Sequence, residues 1–261
     1  MIRPMLAVLL LALVAGGCTD PGIEDPNELA SAWNRGFVVV PASVTQGEYG
    51  CDGDIGEKRT QDCLAAIPAN RRVPAVVYIH GCTGPNYNYL RHLSKIGYPA
   101  FGPNSFARTG RRKDCEVGPS KHTLVKMRIA EATHALQQLR SLPWIDPDRI
   151  HLMGFSEGGM TAAIYPHPGF RSHIVFGWTC THRREYWLDG IKAPEGTPVL
   201  IVWGTPDETV RAGAANDGNC GTRLGDRPQS RFVPIKNGLH DVLGLPEANA
   251  ALKEFLASQS Q

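Results

Sequence analysis

The run Val73–His80, "VPAVVYIH", is apolar almost throughout, with no alternation of polar and apolar positions. A strand with one face in water alternates. A run this uniform suits a strand buried on both faces, as in a parallel sheet sandwiched between helices. Similar segments recur at 37–44 ("FVVVPASV"), 149–155 ("RIHLMGF"), 173–178 ("HIVFGW"), 198–204 ("PVLIVWG") and 231–236 ("RFVPIK"), with "YPAFGPNSF" a weaker candidate. Between them, Val125, Ile129, Ala132, Leu136 and Leu139 recur at steps of three and four, which predicts a helix over 121–140 with one apolar face. A terminal helix is predicted after Pro246, with Ala248, Ala251, Leu252, Phe255 and Leu256 on one side. Alternation of this kind predicts an α/β domain from residue 36 to 261, a mostly parallel sheet with helices on both faces. The net charge of +2 leaves no basic excess for a nucleic-acid partner.

The N-terminus reads differently. Residues 1–17, "MIRPMLAVLLLALVAGG", have a basic start, a short apolar stretch and small residues, the shape of an export signal. Cys18 directly after "AGG" resembles a bacterial lipobox, which implies a lipid anchor on Cys18 and an envelope or periplasmic location; an ordinary cleaved signal is the alternative. Membrane contact is expected only through that anchor, and residues 18–35 read as a polar tether.

Six further cysteines remain, an even number in a chain expected to be exported, so disulfides are expected. Spacing alone does not select among the pairings. Sequential pairing, Cys51–Cys63, Cys82–Cys115 and Cys180–Cys220, is the working assignment. No C-x-x-C spacing supports a zinc site, and no metal is expected.

In a parallel sheet, chemistry gathers in loops at the carboxyl ends of strands. Gly154-Phe155-Ser156-Glu157-Gly158 fits G-x-S-x-G directly after an apolar strand and before a plausible helix start. A nucleophilic serine on such a strand-to-helix turn needs small neighbours so that the tight backbone does not clash. A serine hydroxyl needs a base, and His240 follows the last strand just before the terminal helix. The base needs a carboxylate: Asp207, three residues after "PVLIVWG", is the candidate, with adjacent Glu208 the alternative. The order Ser, Asp, His is that of the α/β-hydrolases. The backbone N–H groups of Glu157 and of Cys82, in "HGCTG" after the second strand, are the candidate oxyanion donors.

On "YIHGCTG", "GFSEGG", "GTPDE" and "GLHD" the chain resembles the dienelactone hydrolase family of α/β-hydrolases, from about Val73 to the C-terminal helix. The resemblance implies a compact fold with no large cap domain. It also implies hydrolysis of a small-molecule ester or lactone through an acyl-enzyme, with no cofactor. The chain departs from the family's namesake in having Ser156 for a cysteine nucleophile and Gly81 for the glutamate before the oxyanion residue, and in lacking an arginine shortly after the histidine. These differences bring it closer to exported serine esterases.

Two loops carry open alternatives. Arg108 and Arg111, with Arg112 and Lys113, follow a strand and could bind an anionic substrate or form a solvated loop. Trp178 and Tyr186 could line an apolar pocket or serve packing. The leading function is an envelope serine hydrolase. A peptidase of the same fold, or a lipoprotein using the scaffold for binding, is the alternative.

Overall fold

The computed structural model describes residues 22–70, 72–111, 115, 121–181, 188–205, 220–236 and 239–259. The expected signal at 1–17 and Cys18 lie outside them. Among the described residues the elements run α1 (Pro26–Asn34), β1 (Phe37–Val40), α2 (Ala42–Thr45), β2 (Cys51–Asp54), α3 (Lys58–Ala65), β3 (Val73–Ile79), α4 (Tyr87–Lys95), β4 (Ala100–Gly102), α5 (Lys121–Ser141), β5 (Ile145–Phe155), α6 (Glu157–Ile164), β6 (Ser172–Phe176), β7 (Val199–Thr205), β8 (Arg231–Lys236) and α7 (Pro246–Ser258).

Eight strands form one sheet in the order β2-β1-β4-β3-β5-β6-β7-β8. From β4 to β8 every neighbour is parallel, while β1 lies antiparallel between β2 and β4. The uniform apolar runs have the expected cause: both faces are covered. Along β3, Ala75, Val77 and Ile79 pack into one core with α5 and α6, whereas Val76 and Tyr78 pack into the other with α4 and α7. At about 25 cal/mol per Å², burying side chains of this size stabilises by roughly 1.5–3 kcal/mol each.

Several sequence expectations change. The strand expected over 37–44 ends at Val40, because Pro41 has no N–H for a ladder and instead precedes the short helix α2. The segment 18–35 is not a tether along its whole length. Asp25 caps α1, accepting a hydrogen bond from Asn27 N–H at 2.8 Å, and Pro26 sits at its first turn. The helix buries Ala32 and Trp33, and the Trp33 ring stacks on Phe101 at 5.8 Å. Farther back, the carbonyls of Gly22 and Ile23 accept hydrogen bonds from Arg108 at 3.0 and 2.6 Å. The folded unit therefore reaches back to at least residue 22.

Three disulfides, Cys51–Cys63, Cys82–Cys115 and Cys180–Cys220, staple the fold in sequential order. The first ties edge strand β2 to α3. The second ties the loop after β3 to the segment after β4. Among the described residues no helix is long and apolar enough to cross a membrane.

Candidate active site

The end of β5 delivers Ser156 onto a sharp turn. Its backbone is left-handed (φ 55°, ψ −114°), a conformation that costs a residue with a side chain on the order of 1–3 kcal/mol. Surrounding bonds hold it there. Ser156 N–H donates to the Phe176 carbonyl at 2.9 Å, and the Ser156 carbonyl accepts from Met160 N–H at 2.8 Å as α6 begins. The flanking glycines are sterically required. A Cβ on Gly154 would overlap the Gly158 carbonyl, and one on Gly158 would overlap the carbonyl of Ile79 in β3. Strand β5 and helix α6 can approach this closely only because neither carries a side chain at the crossing.

His240 comes from the loop after β8. Its Nε2 accepts a hydrogen bond from Ser156 Oγ at 2.9 Å, although the two residues are 84 apart in sequence. The imidazole packs against the Phe155 ring at 5.0 Å. Its neighbour Asp241 anchors the loop, since Asp241 Oδ1 accepts from the Tyr89 hydroxyl at 2.7 Å and from Leu243 N–H at 3.0 Å. Asp241 is thus engaged away from the imidazole, bound to α4. Asp207 and Glu208, the candidate third members, lie outside the described residues, as does Tyr186.

The loop after β3 lies beside the serine: a Cβ on Gly81 would sit 3.3 Å from Ser156 Cβ. The Gly81–Cys82 peptide is therefore adjacent to the nucleophile, opposite the start of α6, where backbone N–H groups have no partner within the helix. The disulfide to Cys115 holds Cys82 from one side. From the other, His80 is buried at the end of β3. Ser105 N–H donates to His80 Nε2 at 3.1 Å, which leaves the proton on Nδ1, and Nδ1–H donates to the Gly81 carbonyl at 2.7 Å. Burial, with the nearby guanidiniums of Arg128 and Arg111, pushes the His80 pKa well below 6.5 against the opposing pull of the Gly81 carbonyl. His80 is a neutral strut.

Arg108 and Arg111, left open between substrate binding and a solvated loop, are both buried. Arg108 is 2% exposed. Besides Gly22 and Ile23, it donates to the Met127 carbonyl at 3.2 Å and to Glu131 at 3.4 Å, which makes it the anchor of the N-terminal segment. The Arg111 side chain is 1% exposed and donates to Glu157 Oε1 at 2.6 Å, its guanidinium lying 4.8 Å from the Phe106 ring centre. Both are drawn inside by buried carboxylates, a cause that composition cannot reveal. Trp178 is buried in the core cluster that also holds Leu188 and the Cys180–Cys220 bridge.

Sequence reasoning missed Arg128 and Glu131 altogether. They occupy the inner face of α5, both fully buried, where Arg128 pairs with Glu131 at 2.8 Å and approaches Glu157 at 3.7 Å. The available signal was their position: two charges three residues apart, among Val125, Ala132 and Leu136 on the apolar face.

The sequence matches the family model described as "Dienelactone hydrolase family" over residues 61–220. A comparison with curated proteins found no match. Among solved structures, a protein assigned as a dienelactone hydrolase from Klebsiella pneumoniae subsp. pneumoniae MGH 78578 is similar at TM-score 0.55 and 16% identity, over 74% of this chain and 89% of that one. The acetyl xylan esterase from Paenibacillus sp. R4 is similar at TM-score 0.52 and 16% identity, over 72% of this chain and 74% of the other. At these identities the likeness is one of fold.

Proposed function

The chain belongs to the dienelactone hydrolase family, and from that premise we propose that it is a serine hydrolase cleaving carboxylic ester or lactone bonds through an acyl-enzyme. The observation that carries this reading is the 2.9 Å hydrogen bond between Ser156 Oγ and His240 Nε2, made at a strained turn between strand and helix. A serine held in such a conformation is costly for the fold and useful for attack.

In the proposed reaction Ser156 Oγ bonds to the acyl carbon while its proton passes to His240 Nε2. The carbonyl π pair moves onto oxygen, and the N–H groups of Glu157 and Cys82 stabilise that oxyanion. Collapse of the adduct breaks the bond to the leaving alkoxide, which takes the proton from His240. Water then attacks the acyl-enzyme with His240 as base, and the acid is released with Ser156 restored. Asp207 is the proposed partner that orients the imidazole, with Glu208 as its alternative.

The three disulfides support an oxidising compartment. Export through residues 1–17 and lipidation at Cys18 complete the proposal of an envelope-anchored or periplasmic enzyme. A fluorophosphonate probe and a short p-nitrophenyl ester test the reaction, with Ser156→Ala and His240→Ala as controls. Labelling and turnover that vanish in Ser156→Ala are expected. Turnover unaffected by that change would overturn the assignment, and absence of both in the native protein would favour a binding role for the scaffold.

A further inference from the structure

Behind the nucleophile lies a polar cluster that the proposed chemistry does not use directly. Arg128, from the inner face of α5, stands at its centre with a fully buried side chain. Its Nη2 donates to the His80 carbonyl at 2.7 Å, and Nη1 donates to Glu131 Oε2 at 2.8 Å while also reaching His80 Nε2 at 3.3 Å. Nε faces Glu157 Oε1 at 3.7 Å, an ion pair rather than a hydrogen bond. Arg111 completes the Glu157 carboxylate at 2.6 Å, and Ser105 Oγ donates to Glu131 Oε1 at 2.9 Å.

His80 stands two residues before Cys82, and Glu157 directly follows Ser156. One guanidinium therefore holds the backbone two residues before Cys82 and pairs with the side chain of Glu157, the two residues whose neighbourhoods would supply the oxyanion donors. Resting on the reading of the previous subsection, we propose that Arg128 is a positioning residue that fixes the spacing between the Cys82 and Glu157 N–H groups. Its cluster also offsets the Glu157 charge behind them.

Two physical points support this. Replacing a buried ion cluster with apolar side chains of similar volume is often neutral or stabilising, so global stability alone does not account for the cluster. What a hydrogen-bonded guanidinium fork adds is directional stiffness, and oxyanion donors must be held to within about 0.5 Å. The second point is charge. A lone Glu157 carboxylate next to a developing oxyanion would oppose it. Instead, the Glu157 carboxylate is paired with the Arg111 guanidinium at 2.6 Å and lies 3.7 Å from that of Arg128, which offsets its charge behind the donors.

The test separates positioning from general packing. Arg128→Met removes the fork and the charge, whereas Arg128→Lys keeps the charge on a compact group that cannot span both segments. Both are expected to lower kcat between about 10- and 100-fold, with KM changed by less than about threefold. The inhibition constant of an alkyl boronic acid, which forms a tetrahedral anionic adduct on the serine, is expected to rise by the same factor as kcat falls. Glu157→Gln keeps the backbone donor and removes one strut. It carries the same test if the Arg128 variants do not fold, with the same coupled change in kcat and boronate inhibition. Wild-type kcat in the folded variants, or a loss confined to KM, overturns the proposal. If native protein shows no Ser156-dependent turnover, the hydrolase reading falls and this inference with it; if that turnover is present and the variants match it, only this inference falls.

Discussion

The folded protein is expected to lose stability steeply below pH 6, because two core histidines are locked neutral. His151 in β5 is fully buried, with Nδ1 2.8 Å from Ser172 Oγ and no hydrogen-bond partner on Nε2. Burial above all, then the charges of Arg171 and Arg149, push its pKa down to about 3. His173 in β6 donates from Nδ1 to the Ala162 carbonyl at 2.8 Å. Burial pushes its pKa down to about 4, against the pull of that carbonyl. The unfolded chain takes up both protons with a pKa near 6.5, whereas the folded chain refuses them until pH 3–4. Between those limits the unfolded state binds more protons, so stability is full above pH 6.5 and falls as pH falls. At pH 5 each histidine favours unfolding by about 2 kcal/mol, together about 4 kcal/mol, with a slope near 2.7 kcal/mol per pH unit. That is a large share of a typical 5–15 kcal/mol. His80, also held neutral, acts in the same direction. Urea unfolding followed by tryptophan fluorescence from pH 7.5 to 5, with disulfides intact, measures the slope. His173→Asn keeps a donor for the Ala162 carbonyl and removes one titrating group, so its slope should fall by about 1.4 kcal/mol per pH unit. A flat native profile, or an unchanged slope in His173→Asn, refutes the reasoning.

Gly158→Ala places a methyl group on the Ile79 carbonyl, so the turn must open; labelling of Ser156 by fluorophosphonate should fall at least about tenfold, and a wild-type labelling rate would count against the steric account. Replacing Cys82 and Cys115 together by serine removes a link across 33 residues, and chain entropy sets the loss at about 4 kcal/mol in chemical denaturation. Because that bridge also holds the loop beside Ser156, kcat should drop in the double variant under conditions where it remains folded. Trp33→Ala empties the site under Phe101 and should cost about 3–5 kcal/mol in the same melts, whereas a true tether residue would cost almost nothing.

Some of the architecture was legible because its cause is local. The run "VPAVVYI" is apolar at every second position and also in between, which only a two-sided burial explains, and β3 is buried in that way. Other elements had no such signal. Strand β2 is "CDGD", which carries charge and glycine because it is the sheet's edge and pairs on one side only. Asp146-Pro147-Asp148 has the composition of a turn, yet it lies inside β5, at an irregular start to its pairing with β3, where the Pro147 nitrogen has no ladder bond to lose. Helix α1 looked like tether because "PNELASAWN" is mostly polar, and the surface that buries Trp33 lies far along the chain.

The placement of Ser156 and His240 at strand ends could be read directly, since a parallel sheet brings those ends to one edge whatever the intervening residues. By itself, then, the sequence determined the layered α/β fold, the glycine-flanked turn and the pair of residues that share a hydrogen bond. Tertiary structure alone decided the fate of the charges. Arg108, Arg111, Arg128, Glu131 and Glu157 come from the segment after β4, from α5 and from the first turn of α6, and each is buried only because the others are. A charged side chain goes inside when a partner meets it there, and the partners of Arg108 and Arg111, 23 and 46 residues away, leave no pattern in the chain that links them.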